Sequence, residues 1–217
     1  PAPAISARVG IIIIAGCLMA LISMGVRSTF GLFVAGAPDA IGVTSGDFGL
    51  ALGWQNLLWG LMGAYAASLV DRFGPMWVLI AGSVLYGCGV IGMLLLPGTL
   101  MTYIFLGGLT GSGIAATSFT IVAMSFSKLV SAEQRSWALG IGTAAASFGQ
   151  FAIGLPAGIM LQQLGWDNAL YVMAGLTFLI IPLSFFFAGI KGTAAETGKG
   201  DNSGSFAEVL DEVRFAF

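Results

Sequence analysis

The stretch Val9-Gly-Ile-Ile-Ile-Ile-Ala-Gly-Cys-Leu-Met-Ala-Leu-Ile-Ser-Met-Gly-Val-Arg-Ser-Thr-Phe-Gly-Leu-Phe-Val34 contains one charged residue, Arg27. An α-helix rises ~1.5 Å per residue, so about 20 apolar residues cross a hydrocarbon core of about 30 Å. The run exceeds the apolar region of a secretory signal, passes through an arginine and has no clear cleavage site, so it reads as a retained transmembrane helix. The rest of the chain has the same character. Of its 217 residues 57% are hydrophobic and only 8% charged, and its mean hydropathy is +0.96, which requires a bilayer as solvent.

Working outward, the spans read as Val9 to Val34, Gly46 to Val70, Met76 to Leu96, Met101 to Ser127, Trp137 to Gln163 and Ala169 to Ile190. Six crossings place both ends on one side. Under that topology Arg8, Arg72, Lys128, Arg135, Lys191, Lys199 and Arg214 fall on the inner side, while the opposite loops carry Asp39, Asp47 and Asp167. The asymmetry of basic residues assigns the two ends to the cytoplasm. The expected fold is therefore all-α and integral to the membrane, with residues 1–190 forming a six-helix bundle. Residues 191–217 read as a polar, glycine-rich cytoplasmic segment followed by a short amphipathic surface helix, with Ser205 and Glu208 as its capping box.

Several function classes are excluded. A net charge of −2 and dispersed Lys and Arg leave no basic patch for nucleic acid. With no histidine and with carboxylates near the loops, no metal site and no cofactor are expected. Cys17 and Cys88 lie inside apolar runs and read as small hydrophobes. No nucleophile and base share a plausible depth, which argues against an intramembrane enzyme. Apart from Asp47, at the very edge of the second span, no Asp, Glu or His lies within a span, so exchange of organic cations for protons has little support.

Polar residues inside the spans carry the functional reading. A guanidinium at Arg27, roughly 10 Å inside the outer boundary of its span, costs at least about 2 to 3 kcal/mol. Two readings of it stand side by side: it faces a watery cavity and attracts an anion such as a carboxylate, or it snorkels outward or pairs with Asp39 or Asp47. Gln55 and Asn56, Thr117 and Ser118, and Ser147 and Gln150 lie near mid-span in three further helices. In the fifth span Ser136, Gly140, Thr143, Ser147, Gln150 and Gly154 recur in steps of three and four, a polar and small stripe that reads as the lining of a path. Gly60, Ala64 and Ser68, and likewise Gly107, Gly111 and Ala115, read as close packing within the bundle.

The segment Ala67-Ser68-Leu69-Val70-Asp71-Arg72-Phe73-Gly74-Pro75-Met76 resembles the signature loop of the major facilitator superfamily, G-x-L-A-D-R-x-G-R/K-R/K. Asp71, Arg72 and Gly74 match, whereas Ala67, Pro75 and Met76 depart from it. Ser131-Ala132-Glu133-Gln134-Arg135-Ser136 is similar to the charged loop between that family's fourth and fifth helices. Arg27 to Phe33, Gly53 to Gly60 and Gly142 to Gln150 further resemble the oxalate/formate antiporter and monocarboxylate porter branch. The resemblance implies one half of a major facilitator fold, a 3+3 inverted repeat, working by alternating access with a second six-helix bundle or a second copy. It also implies transport of a small organic anion through Arg27, Gln55, Asn56, Trp59, Thr117, Ser147 and Gln150. Gating would rest on Asp71, Arg72, Gly74, Glu133 and Arg135, and the location would be the inner, plasma membrane. The other readings are a non-transporting sensor or assembly subunit, or a drug exporter of the same superfamily.

Overall fold

The computed structural model describes residues 6–190, all of whose regular elements are helical. The first crossing is α1 (Ala7–Phe33). Its N-terminus is capped by Ser6, whose hydroxyl accepts from the Val9 amide. A short α2 (Ala37–Ile41) leads to α3 (Ser45–Phe73), capped by Thr44, which accepts from the Asp47 amide and donates to its carboxylate. Gly74, at φ +81°, ends α3, and Pro75 opens α4 (Pro75–Leu95) at a position where its missing N–H is not needed. At Gly74 a Cβ would also lie 2.9 Å from the Ile190 carbonyl.

The stretch Thr99–Leu129 is broken twice. It runs from α5 (Thr99–Thr102) through a π-helical turn, Tyr103–Leu109, into α6 (Thr110–Thr117). Ser118 then adopts an extended conformation before α7 (Phe119–Leu129). Its hydroxyl donates to the Ala115 carbonyl at 2.9 Å, so one acceptor freed by the break is satisfied inside the protein, as a low-dielectric environment requires. The next helix, α8 (Ala132–Leu164), is continuous for 33 residues despite Pro156. The last helical stretch comprises α9 (Trp166–Phe178), α10 (Ile180–Ser184) and a 3-10 turn, Phe185–Phe187.

Among the described residues five helical stretches are long and apolar enough to cross a membrane: Ala7–Phe33, Pro75–Leu95, Thr99–Leu129, Ala132–Leu164 and Trp166–Phe187. They match five of the six expected spans within a few residues. The remaining expected span, Gly46 to Val70, falls on the 29-residue α3, which has the length but is diluted by Gln55, Asn56 and Asp47. Residues 191–217, with the expected amphipathic helix, lie outside the described residues.

Small residues bring the helices together. Gly25 on α1 faces Gly149 and Ile153 on α8, and Gly149 in turn lies against the Leu21 backbone. Gly142, Ala146, Gly149 and Ala157 thus form the buried edge of α8. Gly111 on α6 abuts the Gln55 backbone of α3, and Gly113 abuts Tyr86 of α4. The Gly107, Gly111, Ala115 stripe packs within the bundle as expected. The Gly60, Ala64, Ser68 stripe does not: all three are exposed, and a Cβ at Gly60 would meet nothing within 4 Å. Both stripes are small, but α3 turns only its Gln55 side to α6.

Candidate functional site

Arg27 lies six residues before the end of α1, and its side chain crosses to α3. Its Nη2 donates to Asn56 Oδ1, and its Cζ stands 4.4 Å from the centre of the Trp59 ring. Asn56 is oriented in turn by donating its Nδ2 to the Leu52 carbonyl at 2.8 Å. The partners of the guanidinium are therefore a neutral amide and an indole face, not Asp39 or Asp47. Among the described residues no carboxylate pairs with it, and its Nε is buried without a hydrogen-bond partner. A guanidinium whose charge is not neutralised, and whose donors are not all used, is an attractive site for an anion.

Below this cluster lies a fully buried polar layer. Tyr86 donates to the Ser23 carbonyl at 3.2 Å, one turn before Arg27, and stacks at a tilt on Phe30. Thr117 donates to the Gly113 carbonyl, which makes Ser23 the donor in the 2.9 Å hydrogen bond between the Ser23 and Thr117 hydroxyls. Thr117 is thus part of the contact between α1 and α6. Gln55 is also buried, with its Nε2 donating to the Leu106 carbonyl at 3.1 Å. Ser147 and Gln150 are exposed on α8, near the level of Leu21 and Gly25 on α1, and no hydrogen bond joins them to Arg27 among the described residues.

Of the seven substrate-contact candidates, the structure brings Arg27, Asn56 and Trp59 together. It places Gln55 and Thr117 in helix packing, and Ser147 and Gln150 on an open wall with Thr143 and Gly140. Two apolar grooves lie elsewhere. One of about 510 Å³ runs between α1 and α8 beside Cys17 and Trp137. Another of about 340 Å³ runs between α3 and α4 beside Tyr65 and Trp77. Both linings are almost wholly apolar.

The charged loops gather at one end. Asp71 pairs with Lys128 at 3.6 Å, joining the end of α3 to the end of α7. Arg135 donates to the Ser127 carbonyl at 3.0 Å, at the C-terminal turn of α7. Arg8 donates to the Ala188 carbonyl at 3.4 Å. Arg72 and Glu133 are exposed at the same end. Sequence reasoning omitted Lys128 from the gating set, although a lysine in the last turn of a helix facing an Asp-Arg loop was a usable signal. Tyr86 had no such signal, being one aromatic residue among many. At the other end Trp166 donates to the Phe33 carbonyl at 2.9 Å and packs edge-on against Phe33 and Phe48.

Helices of this length and apolarity, joined through buried small residues, define a multi-pass membrane protein. Residues 16–215 match the family model described as Major Facilitator Superfamily, and the chain belongs to that family. Its members are transporters, not enzymes. The chain is also similar to the "Multidrug resistance protein Stp" of Mycobacterium tuberculosis, strains CDC 1551 / Oshkosh and ATCC 25618 / H37Rv. In each case the identity is 32% over 123 residues, covering 56% of this chain and 22% of the relative.

Proposed function

We propose that this chain forms the amino-terminal half of a secondary transporter that moves a small organic anion by alternating access. The observation that carries the reading is Arg27: a guanidinium within a span, with an amide and an indole for partners and no carboxylate pairing it among the described residues. A carboxylate entering beside Asn56 and Trp59 supplies the missing countercharge. Thr143, Ser147 and Gln150 extend the polar wall, and a second six-helix bundle or a second copy supplies the other wall.

The same proposal takes α3 as a sixth crossing, with both ends on the cytoplasmic side of the inner membrane. At ~1.5 Å per residue its 29 residues extend about 43 Å. Phe48 near its start packs on Trp166, and Asp71 near its end pairs with Lys128, so α3 runs between the two ends of the bundle beside its apolar neighbours. In this reading Asp71 with Lys128, and Arg135 on the end of α7, hold the inner loops closed in the outward-open state. Arg72, Gly74 and Glu133 shape the loops around them.

The similarity to a multidrug resistance protein favours a second reading, export of drugs. Uptake of labelled oxalate, formate, lactate and pyruvate by the full-length protein in proteoliposomes separates the two. The anion reading expects flux of at least one, abolished by Arg27→Ala. Flux of apolar cations alone, insensitive to Arg27→Ala, would overturn it.

A further inference from the structure

Gln55 and Asn56 are neighbours in α3, yet their side chains serve different neighbours of the helix. Asn56 receives Arg27. Gln55 is 2% exposed and donates to the carbonyl of Leu106. That carbonyl belongs to the π turn between α5 and α6. The widened turn is built in detail: the Thr110 hydroxyl reaches back five residues to the Phe105 carbonyl, whereas those of Ser112 and Thr117 reach back four. On α4, Gly89 and Gly92 leave the space that Thr110 and Phe105 occupy. A Cβ at Gly111 would lie 2.7 Å from the Gln55 carbonyl, so α3 also sits directly on the backbone beyond the π turn.

Successive residues in a helix differ by about 100° in direction. Fixing Gln55 on Leu106 therefore fixes where Asn56 and Trp59 point. We propose that Gln55 is a positioning residue: its hydrogen bond to the π turn holds α3 in the rotation that sets Asn56 and Trp59 against Arg27, so it controls anion affinity without touching the anion. The affinity part rests on the anion reading above, whereas the positioning of Trp59 does not. A π turn suits this role because a carbonyl has two lone pairs and the wider turn alters which ones its own helix uses.

The test uses the full-length protein in nanodiscs, with the Trp59 emission isolated by subtracting a Trp59→Phe blank. Arg27→Met, which removes the cation from the ring, gives the reference change in ligand-free protein. Gln55→Met keeps the length of the side chain and removes its donor; Gly111→Ala pushes α3 off α6 by a separate route and serves where Gln55→Met does not fold. Both are expected to move Trp59 emission toward the Arg27→Met value. Gln55→Met is expected to weaken oxalate binding about tenfold, the scale of one lost hydrogen bond, and to add nothing in an Asn56→Ala background. Unchanged Trp59 emission in Gln55→Met and Gly111→Ala, with Arg27→Met changed, would overturn the proposal. So would additive losses in the Gln55→Met, Asn56→Ala pair, since these place Gln55 on the anion or in general stability. If Trp59 shifts as expected and oxalate, formate, lactate and pyruvate all fail to bind, the positioning role stands and the anion reading fails.

Discussion

Gly149→Ala is the sharpest perturbation of the bundle. A Cβ there would collide with the Leu21 backbone, its second-nearest contact being Leu21 Cα at 2.7 Å. Backbone cannot rotate aside as a side chain can, so α1 and α8 must separate along their shared edge. Overpacking costs about 1 to 3 kcal/mol where side chains adjust, and a backbone collision belongs at the upper end, about 3 kcal/mol. The control is Gly175→Ala on α9, where a Cβ would meet nothing within 4 Å. There the gain in helix propensity is about 0.5 to 1 kcal/mol. The propensity gain is common to both helix-interior sites, so the two variants of the full-length protein in detergent should differ by roughly 3 kcal/mol, with Gly149→Ala a net of about 2 to 2.5 kcal/mol less stable and melting about 4 to 10 °C below wild type on the scale of about 2 to 4 °C per kcal/mol. A scan by intrinsic fluorescence reads this directly. If the two variants melt within about 2 °C of each other, the close contact of α1 with α8 is refuted.

Other perturbations address the ends and the open wall. Gly154 lies on the partly open side of α8, and a Cβ there meets nothing within this bundle; Gly154→Ala should preserve folding yet slow transport in proteoliposomes if that side slides against a second bundle. Gly74→Ala forces a side chain into a left-handed backbone beside the Ile190 carbonyl and should cost about 1 to 3 kcal/mol in thermal unfolding. Trp166→Phe keeps the ring contacts with Phe33 and Phe48 but loses the hydrogen bond to the Phe33 carbonyl, a loss of about 1 kcal/mol by the same measurement. Lys128→Gln removes the Asp71 pair, which is partly exposed and worth at most about 1 kcal/mol. It should raise maleimide labelling of Ser131→Cys at the inner loops by no more than about fivefold, with the difference shrinking in high salt.

Long apolar runs made the crossings legible, because span length and hydropathy depend on composition alone. Composition says nothing of register, so the π turn at Tyr103–Leu109 and the extended Ser118 went unseen. Neither is marked by a proline: the π turn is held by tertiary contacts, Gln55 on Leu106 and Gly89 and Gly92 beside Thr110 and Phe105, and the break at Ser118 by a local hydrogen bond from its hydroxyl to the Ala115 carbonyl. The same limit applies to the polar residues. Depth is readable from position along a span, and Gln55, Asn56 and Thr117 do lie in the interiors of their spans. Direction requires knowing which side of the helix meets a neighbour. One step along α3 separates a buried amide from one that receives a guanidinium.

That separation bears on how the helices tolerate charge. Ser23, Thr117, Tyr86 and Gln55 are buried, and they satisfy one another or nearby carbonyls. Arg27 stands one turn beyond Ser23, where the layer meets the α3 amide and indole. Holding a half-buried guanidinium within a span without a countercharge is costly, and cation–π contact offsets only about 0.5 to 2 kcal/mol of it. Replacing Arg27 with Met should therefore stabilise the ligand-free protein while destroying anion binding, a trade expected of a residue kept for its charge. A destabilised Arg27→Met variant would show instead that the guanidinium serves the fold, through Asn56 and Trp59, and the anion reading would lose its main support.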